Sequence, residues 1–353
     1  MKEWIKKNKV DLILYFGFIF ILIILITLAV LPQYSRALST NSAYKTTAIE
    51  IGSFSIAWYA IFILSGIIMA TVMAVYEIKR FGWETDDILD GVLIIAPLAI
   101  IGARLYYVLF DPAGSPDSFM DVIAIWEGGL AIHGAIIVAA IGIIIYSRYK
   151  KINVFAVADL LAIGLLMGQI AGRWGNFMNA EAHGAATTSN FLQSVLPNFI
   201  THQMQFSSHL HDLTEGIYLP TFLFESLWNF IGLTILLVLR RTKLLKVGDM
   251  LGIYLIWYGF GRGVLIEPFR TDQLKEIFGV PVNILLSLIL FVGGGIVYLI
   301  LKRVYNKDEK LYQELLINDI EIITRKEQPN DKSNNLWFRW DNCWYTKINN
   351  GKF

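Results

Sequence analysis

Apolar residues in this chain fall in long, nearly unbroken runs. They do not alternate as in a half-buried strand, nor do they form the single stripe of a surface helix. Runs of spanning length can be drawn at 12–31, 54–76, 91–110, 130–149, 159–179, 218–239, 250–270 and 284–305. Each is close to the ~20 residues that cross the hydrocarbon core as a helix, and a helix satisfies its backbone N–H and C=O groups without water. The pattern predicts an all-α, polytopic membrane helix bundle with eight crossings. The polar stretch 180–217 is long enough for a loop domain on one membrane face. The first run follows Lys2, Lys6, Lys7 and Lys9. It is longer than a secretory signal core, and Leu31-Pro32-Gln33-Tyr34 makes a poor cleavage site, so it reads as a retained signal anchor.

Composition agrees: 55% of the 353 residues are hydrophobic and 17% charged, with a mean hydropathy of +0.53. A net charge of +1 provides no basic field for nucleic acid. The sole cysteine, Cys343, lies in a polar tail. That excludes an intrachain disulfide and a thiolate metal cluster, and argues against a cysteine nucleophile in the membrane. The composition changes after Tyr305, which divides the chain into an anchor with its linker (1–50), a membrane domain (51–305) and a tail (306–353). The tail's end interleaves Trp337, Phe338, Trp340, Trp344 and Tyr345 with Arg339, a composition suited to the membrane surface.

Lys and Arg collect in alternate connections: Lys79 and Arg80; Arg148, Lys150 and Lys151; Arg240, Arg241, Lys243 and Lys246; Lys302 and Arg303. The stretches 111–129 and 180–217 have none, and 271–283 has only Lys275. Positive charge marks the cytoplasmic side, so both termini are expected inside and 180–217 outside. That loop holds His183, His202, His209 and His211. Two of them stand two apart, which suits one helical face poorly, and no cysteine supports them. A solvated loop is the expectation there, and no metal site.

Polar residues interrupt the apolar runs at their predicted outer ends. They are Tyr59; Arg104; Glu127 and His133; Arg173, Asn176, Asn179 and Glu181; Glu225 and Asn229; and Tyr258, Arg262, Glu267 and Arg270. Ionisable groups at such depth are costly and face protein or a wet cavity. At helical spacing Arg173, Asn176 and Asn179 share a face. A polar contact between helices would explain one such cluster, but several point to a site. Arg in excess of nearby carboxylates suggests an anionic ligand, because the guanidinium fork matches phosphate and stays charged in low dielectric. A phosphate in a membrane belongs to a phospholipid headgroup or a polyprenyl phosphate. His133 would serve as a general base or a hydrogen-bonding group.

The segments WYAIFILSG, GARLYYVLF, WEGGLAIHG, GRWGNFMNAEAHG, PTFLFESLWN and WYGFGRGVLIEPFRTD occur in the order found in the bacterial prolipoprotein diacylglyceryl transferase family. The resemblance covers roughly 50–305 and implies seven family spans plus one extra N-terminal span. It implies transfer of the diacylglyceryl group of phosphatidylglycerol to the lipobox cysteine thiol of a prelipoprotein signal peptide, with release of glycerol phosphate and no cofactor. The family's essential histidine resembles His133, and its signature arginine resembles Arg173, followed by Asn176, Asn179 and Glu181. Its Tyr-Gly-x-x-Arg pair resembles Tyr258 and Arg262, and its early Trp-Tyr resembles Trp58 and Tyr59. The resemblance makes His133, Arg173 and Arg262 the catalytic set. Arg173, Tyr59, Asn176, Asn179, Glu181, Tyr258 and Arg104 are then the lipid-binding set. Three departures stand out: Leu219 precedes Pro220 where the family often has His, Phe224 replaces Tyr, and Arg262 and Glu267 are five apart rather than four.

These residues suit a displacement at the glycerol carbon that bears the phosphate, with the substrate's thiolate as nucleophile. The alternative from another class is a transporter or channel for an anionic solute. It predicts matched inverted halves, and the sequence shows no such pairing.

Overall fold

The computed structural model describes residues 8–52, 54–110, 119–124, 129–270, 276–277, 279–306 and 310–316. Glu127 and the aromatic stretch at 337–345 lie outside the described residues.

Helices and short hairpins follow one another along the chain. Helix α1 (Lys9–Thr40) leads to an antiparallel hairpin of β1 (Thr47–Ile51) and β2 (Phe54–Ala57), with Ile51 opposite Phe54. Then come α2 (Trp58–Phe81), α3 (Thr85–Phe110), the short α4 (Phe119–Ile123), α5 (Ile132–Lys150) and α6 (Val154–Met178). A folded insertion follows, in which β3 (Ala186–Thr187) pairs with β4 (Ile217–Tyr218) around α7 (Asn190–Val195) and α8 (Asn198–Gln203). Beyond it are α9 (Thr221–Leu239), α10 (Asp249–Phe260), the pair β5 (Glu276–Ile277) and β6 (Val280–Pro281), α11 (Val282–Leu286) and α12 (Gly294–Tyr305).

Among the described residues seven helices are long and apolar enough to cross a membrane, the last of them running from Val282 to Tyr305 through a π-helical stretch at Ser287–Gly293. The one expected run not among them, 250–270, is helical but changes type, α10 passing into a π turn at Gly261–Ile266 and a 3-10 turn at Glu267–Phe269. The spans are apolar outside as well as in. Ile13, Phe20, Leu93, Leu109, Ile145 and Ile289 are all more than half exposed, which suits lipid as the solvent. Arg148 and Lys150 in the last turn of α5 complement the carbonyl end of the helix dipole.

The described residues divide into two compact units, one within 8–77 and 158–315, the other within 78–157. In the first unit α2 crosses α6 tightly, since a Cβ on Gly66 would lie 3.1 Å from the Gly168 Cα. Helices α9 and α10 are joined by Trp228 and Trp257, whose rings stack at 4.0 Å. Each indole N–H donates to the other residue's carbonyl, at 3.0 and 3.1 Å. Buried Asp159 accepts the Gly248 and Leu251 N–H groups at 2.5 and 3.2 Å. It therefore caps α10, which has no side-chain cap of its own; open first-turn N–H groups need such a partner.

One end of this unit is closed by a buried ion cluster. Asp11 of α1 accepts from Arg240 at 3.0 Å and from Arg241 at 2.6 and 2.8 Å. Glu77 of α2 accepts from Arg241 at 2.6 Å and from the Tyr312 hydroxyl at 3.0 Å. Two carboxylates offset two guanidiniums, which is how buried charge is tolerated. The segment after α12 returns to the same place, with the Tyr312 N–H on the Leu245 carbonyl at 2.8 Å. Helix α1 touches α9 at Tyr15, which bonds Thr234 at 2.8 Å and meets the Phe230 ring edge-on.

The insertion at 180–217 is solvated as expected around His209 and His211, which are exposed, but not throughout. Ile200, Met204, Phe206, His183 and His202 are buried, because the two short helices have apolar residues to cover. His183 Nε2 bonds the Ser207 hydroxyl at 2.8 Å and its ring stacks on Tyr218 at 4.2 Å. His202 bonds the Ser42 carbonyl at 3.0 Å.

In the second unit α3 and α5 meet at Gly102 and Gly134, and a Cβ on Gly134 would collide with the Gly102 carbonyl. Only glycine permits that approach. Lys150 at the end of α5 reaches Asp87 at 3.1 Å and Asp90 at 3.4 Å.

Candidate active site

Three of the apolar runs contribute charged side chains to one cluster in the first unit. Arg173, near the end of α6, contacts Glu225 at 2.9 Å. Glu225, one turn into α9, contacts Arg262 at 2.8 Å. Arg262 reaches Glu267 at 2.9 Å, and Arg270 lies 3.8 Å from the same carboxylate. Asn283 donates to the other Glu267 oxygen at 2.8 Å. Glu225 and Glu267 are buried, whereas the Arg173 and Arg262 side chains keep 18% and 14% of their surface open. The buried carboxylates therefore orient the two guanidiniums, whose side chains stay partly exposed.

The five-residue spacing of Arg262 and Glu267 finds its reason here. In an α-helix residues four apart share a face; a π turn bonds i to i+5. The chain is π-helical over Gly261–Ile266, which brings Arg262 and Glu267 together.

On the other side of Arg173 the polar residues form a chain of hydrogen bonds. Arg173 donates to Asn176 at 3.0 Å, and Asn176 and Asn179 donate to Glu181 at 2.7 and 3.2 Å. The shared face expected from their spacing is thus present, with Glu181 as its acceptor. The Tyr59 ring covers the α6 backbone at Gly175, where a Cβ would lie 2.7 Å from the ring. Tyr258 stacks parallel to Tyr254 at 5.9 Å and meets Phe291 edge-on at 5.2 Å. One turn deeper than Arg173, Gln169 donates to the Tyr254 hydroxyl at 2.8 Å.

Two expected site residues belong to the second unit. His133 is exposed at the start of α5, its ring 5.8 Å from that of Tyr106. Arg104 is buried and donates to the carbonyls of Val122 and Gly129 at 3.3 Å each and to that of Asp121. These bonds fasten the chain between α3 and α5.

The structure thus joins Arg173, Asn176, Asn179, Glu181 and Arg262 to Glu225, Glu267 and Arg270. None of the last three stood among the expected site residues. The signal for Glu225 was its solitude: one carboxylate in an apolar run needs a cation, and two were available on other runs.

The sequence matches the family described as prolipoprotein diacylglyceryl transferase over residues 46–300. The chain belongs to that family. A Streptococcus uberis protein named phosphatidylglycerol–prolipoprotein diacylglyceryl transferase is 44% identical over 268 residues, covering 76% of this chain and 98% of the relative. A Listeria monocytogenes protein of the same name is 44% identical across 72% of this chain and 90% of its own length. A Streptococcus agalactiae protein, also so named, is 44% identical across 72% and 95%. This member of the family is a multi-pass membrane transferase. Its α1, and all that follows residue 300, lie outside the family match.

Proposed function

We propose that this transferase moves the diacylglyceryl group of phosphatidylglycerol onto the lipobox cysteine thiol of a prelipoprotein signal peptide. The observation that carries the chemistry is the pair of guanidinium forks, Arg173 and Arg262, held by one buried carboxylate. Such forks are set for a phosphate and stabilise the charge that grows on it as it leaves. Asn176, Asn179, Glu181, Tyr59 and Tyr258 shape the headgroup site around them. Arg104 we assign to positioning, since its bonds hold loop carbonyls.

In the reaction the cysteine S–H gives its proton to the His133 imidazole. The thiolate forms an S–C bond with the glycerol carbon bearing the phosphate, and the C–O bond breaks. Its electron pair goes to the phosphate oxygen, so glycerol phosphate departs as the anion that Arg173 and Arg262 hold. The thiol, of pKa ~8.5, needs such a base at neutral pH. The chain's own residues meet both demands, and no cofactor enters the scheme.

The reading places residues 51–305 as the catalytic membrane domain, in the cytoplasmic membrane, with both termini inside and the site toward the outer leaflet. The support is the Lys/Arg asymmetry. A Ser207→Cys variant should react with an impermeant thiol reagent in intact cells while Cys343 stays protected; the reverse labelling would overturn the orientation. Activity is tested with purified protein, phosphatidylglycerol and a lipobox peptide. The peptide should gain the mass of the diacylglyceryl group, and a Cys→Ser peptide should not. Unmodified peptide in both cases would refute the reading. The transporter alternative finds no support in the relatives above.

A further inference from the structure

An open concavity in the first unit borders the arginine cluster at Asn179. It has a volume of about 340 Å³ and is lined by Asn41, Ser42, Ala43, Asn179, Ala180, Phe206, Ser207, Ser208 and Asp212. No lining residue is cationic, and Asp212 is a carboxylate. A phosphate would meet repulsion there and no compensating donor of positive charge. The lining hydroxyl, amide and carboxylate groups suit a neutral or cationic polar segment. Its one link to the arginine cluster is Asn179, whose amide donates to Glu181 at 3.2 Å.

The reaction proposed above has two substrates of different electrostatics, an anionic lipid and a peptide. The arginine cluster suits the first, and the pocket beside Asn179 suits the second. We propose that this pocket receives the polar residues of the acceptor peptide next to its cysteine. The inference rests on the proposed transfer reaction.

One wall of the pocket lies outside the family match. Residues 41–43 precede the family match, which begins at residue 46. The wall is nonetheless fixed. The Tyr44 N–H donates to Gln203 Oε1 at 2.9 Å, and Gln203 Nε2 donates to the Phe177 and Met178 carbonyls at 3.0 and 3.3 Å. The Tyr44 hydroxyl donates to the Phe199 carbonyl at 3.0 Å, and His202 holds the Ser42 carbonyl. Opposite, the Ser208 N–H donates to the Ala180 carbonyl at 3.0 Å. The segment after α1 is thereby tied to the end of α6, the helix that carries Arg173 and Asn179. The N-terminal helix therefore does more than anchor: it delivers a wall of the acceptor site.

The test separates the two substrates. In the full chain, Ala43→Trp fills the pocket from a residue outside the reacting machinery. The apparent KM for a lipobox peptide should rise ~tenfold or more, with the KM for phosphatidylglycerol and the saturating kcat close to parental, the mark of lost acceptor binding alone. An unchanged peptide KM, or an equal rise for lipid, would overturn the proposal. A second measurement needs no variant. A peptide with Ser in place of its Cys and a photo-crosslinking residue beside it is irradiated with the parent enzyme. Crosslinks to 41–43 or 206–212 are expected; crosslinks confined to other segments would overturn the proposal. Because this peptide cannot react, the result stands apart from whether transfer occurs. Failure of the parent to modify the Cys peptide would count against the function and not against the pocket.

Discussion

Replacing Glu225 by Gln tests whether one carboxylate organises the arginine cluster. The change keeps the shape and removes the charge. Arg173 would lose its only carboxylate contact within 4 Å among those described, at 2.9 Å, while Arg262 would keep Glu267, also at 2.9 Å. At an effective dielectric near 20, unit charges ~4 Å apart attract by about 4 kcal/mol. Removing one partner from a buried pair costs about 3–5 kcal/mol, because the other charge is left behind. The lower end applies, since Glu267 still holds Arg262 and both arginine side chains are partly exposed. We predict a loss of about 3 kcal/mol in unfolding free energy, read by tryptophan fluorescence during denaturant titration in detergent. Turnover should fall about 10²-fold, as when one oriented donor to a developing oxyanion is lost. Glu225→Asp, which keeps the charge, should lie between parent and Gln. Parental stability and turnover in the Gln variant would refute the idea that Glu225 holds the forks.

Arg173→Lys should fail to restore turnover at normal expression, because Lys keeps charge but not the bidentate fork; wild-type turnover would mean that charge suffices. His133→Gln should keep the lipid affinity and lower turnover by roughly 10²–10⁴-fold, with the deficit shrinking as pH rises toward the thiol pKa of ~8.5. A main effect on lipid affinity instead, with saturating turnover intact, would make His133 a binder. Asp11→Asn should leave Arg240 and Arg241 facing Glu77 alone and destabilise the protein by about 3 kcal/mol, with Asp11→Glu recovering part of it; equal stability of all three forms would show that the cluster contributes nothing.

Much of this architecture was legible in the sequence because the bilayer imposes simple terms. A run of ~20 apolar residues must be a helix, so all eight expected runs are helical. Their ends were less legible. Helix α1 extends from Lys9 to Thr40, well past the apolar run at 12–31, and in its last turns only Ala37 is buried, so these turns are helical without the apolar pattern that marks a span. The shared face of Arg173, Asn176 and Asn179 followed from spacing alone. The hub role of Glu225 did not, since it depends on which helices meet, and that is fixed by Trp228 on Trp257 and by glycine contacts no periodicity reveals. The spacing of Arg262 and Glu267 read as a departure because helical arithmetic assumes 3.6 residues per turn; the π turn changes the arithmetic. His183 and His202 read as solvated because the loop is polar on average, while its few apolar residues were enough to build a small core around them; His209 and His211 are exposed as read.

The central claim is that a thiolate displaces a phosphate held by Arg173 and Arg262 at the glycerol carbon. It is tested most directly with phosphatidylglycerol carrying ¹⁸O at the bridge between the diacylglyceryl carbon and phosphorus. Carbon–oxygen cleavage predicts that the heavy oxygen leaves with glycerol phosphate while the peptide gains a thioether, in equal amounts. Heavy oxygen retained on a diacylglycerol product, with no thioether, would mean attack at phosphorus and would contradict the account.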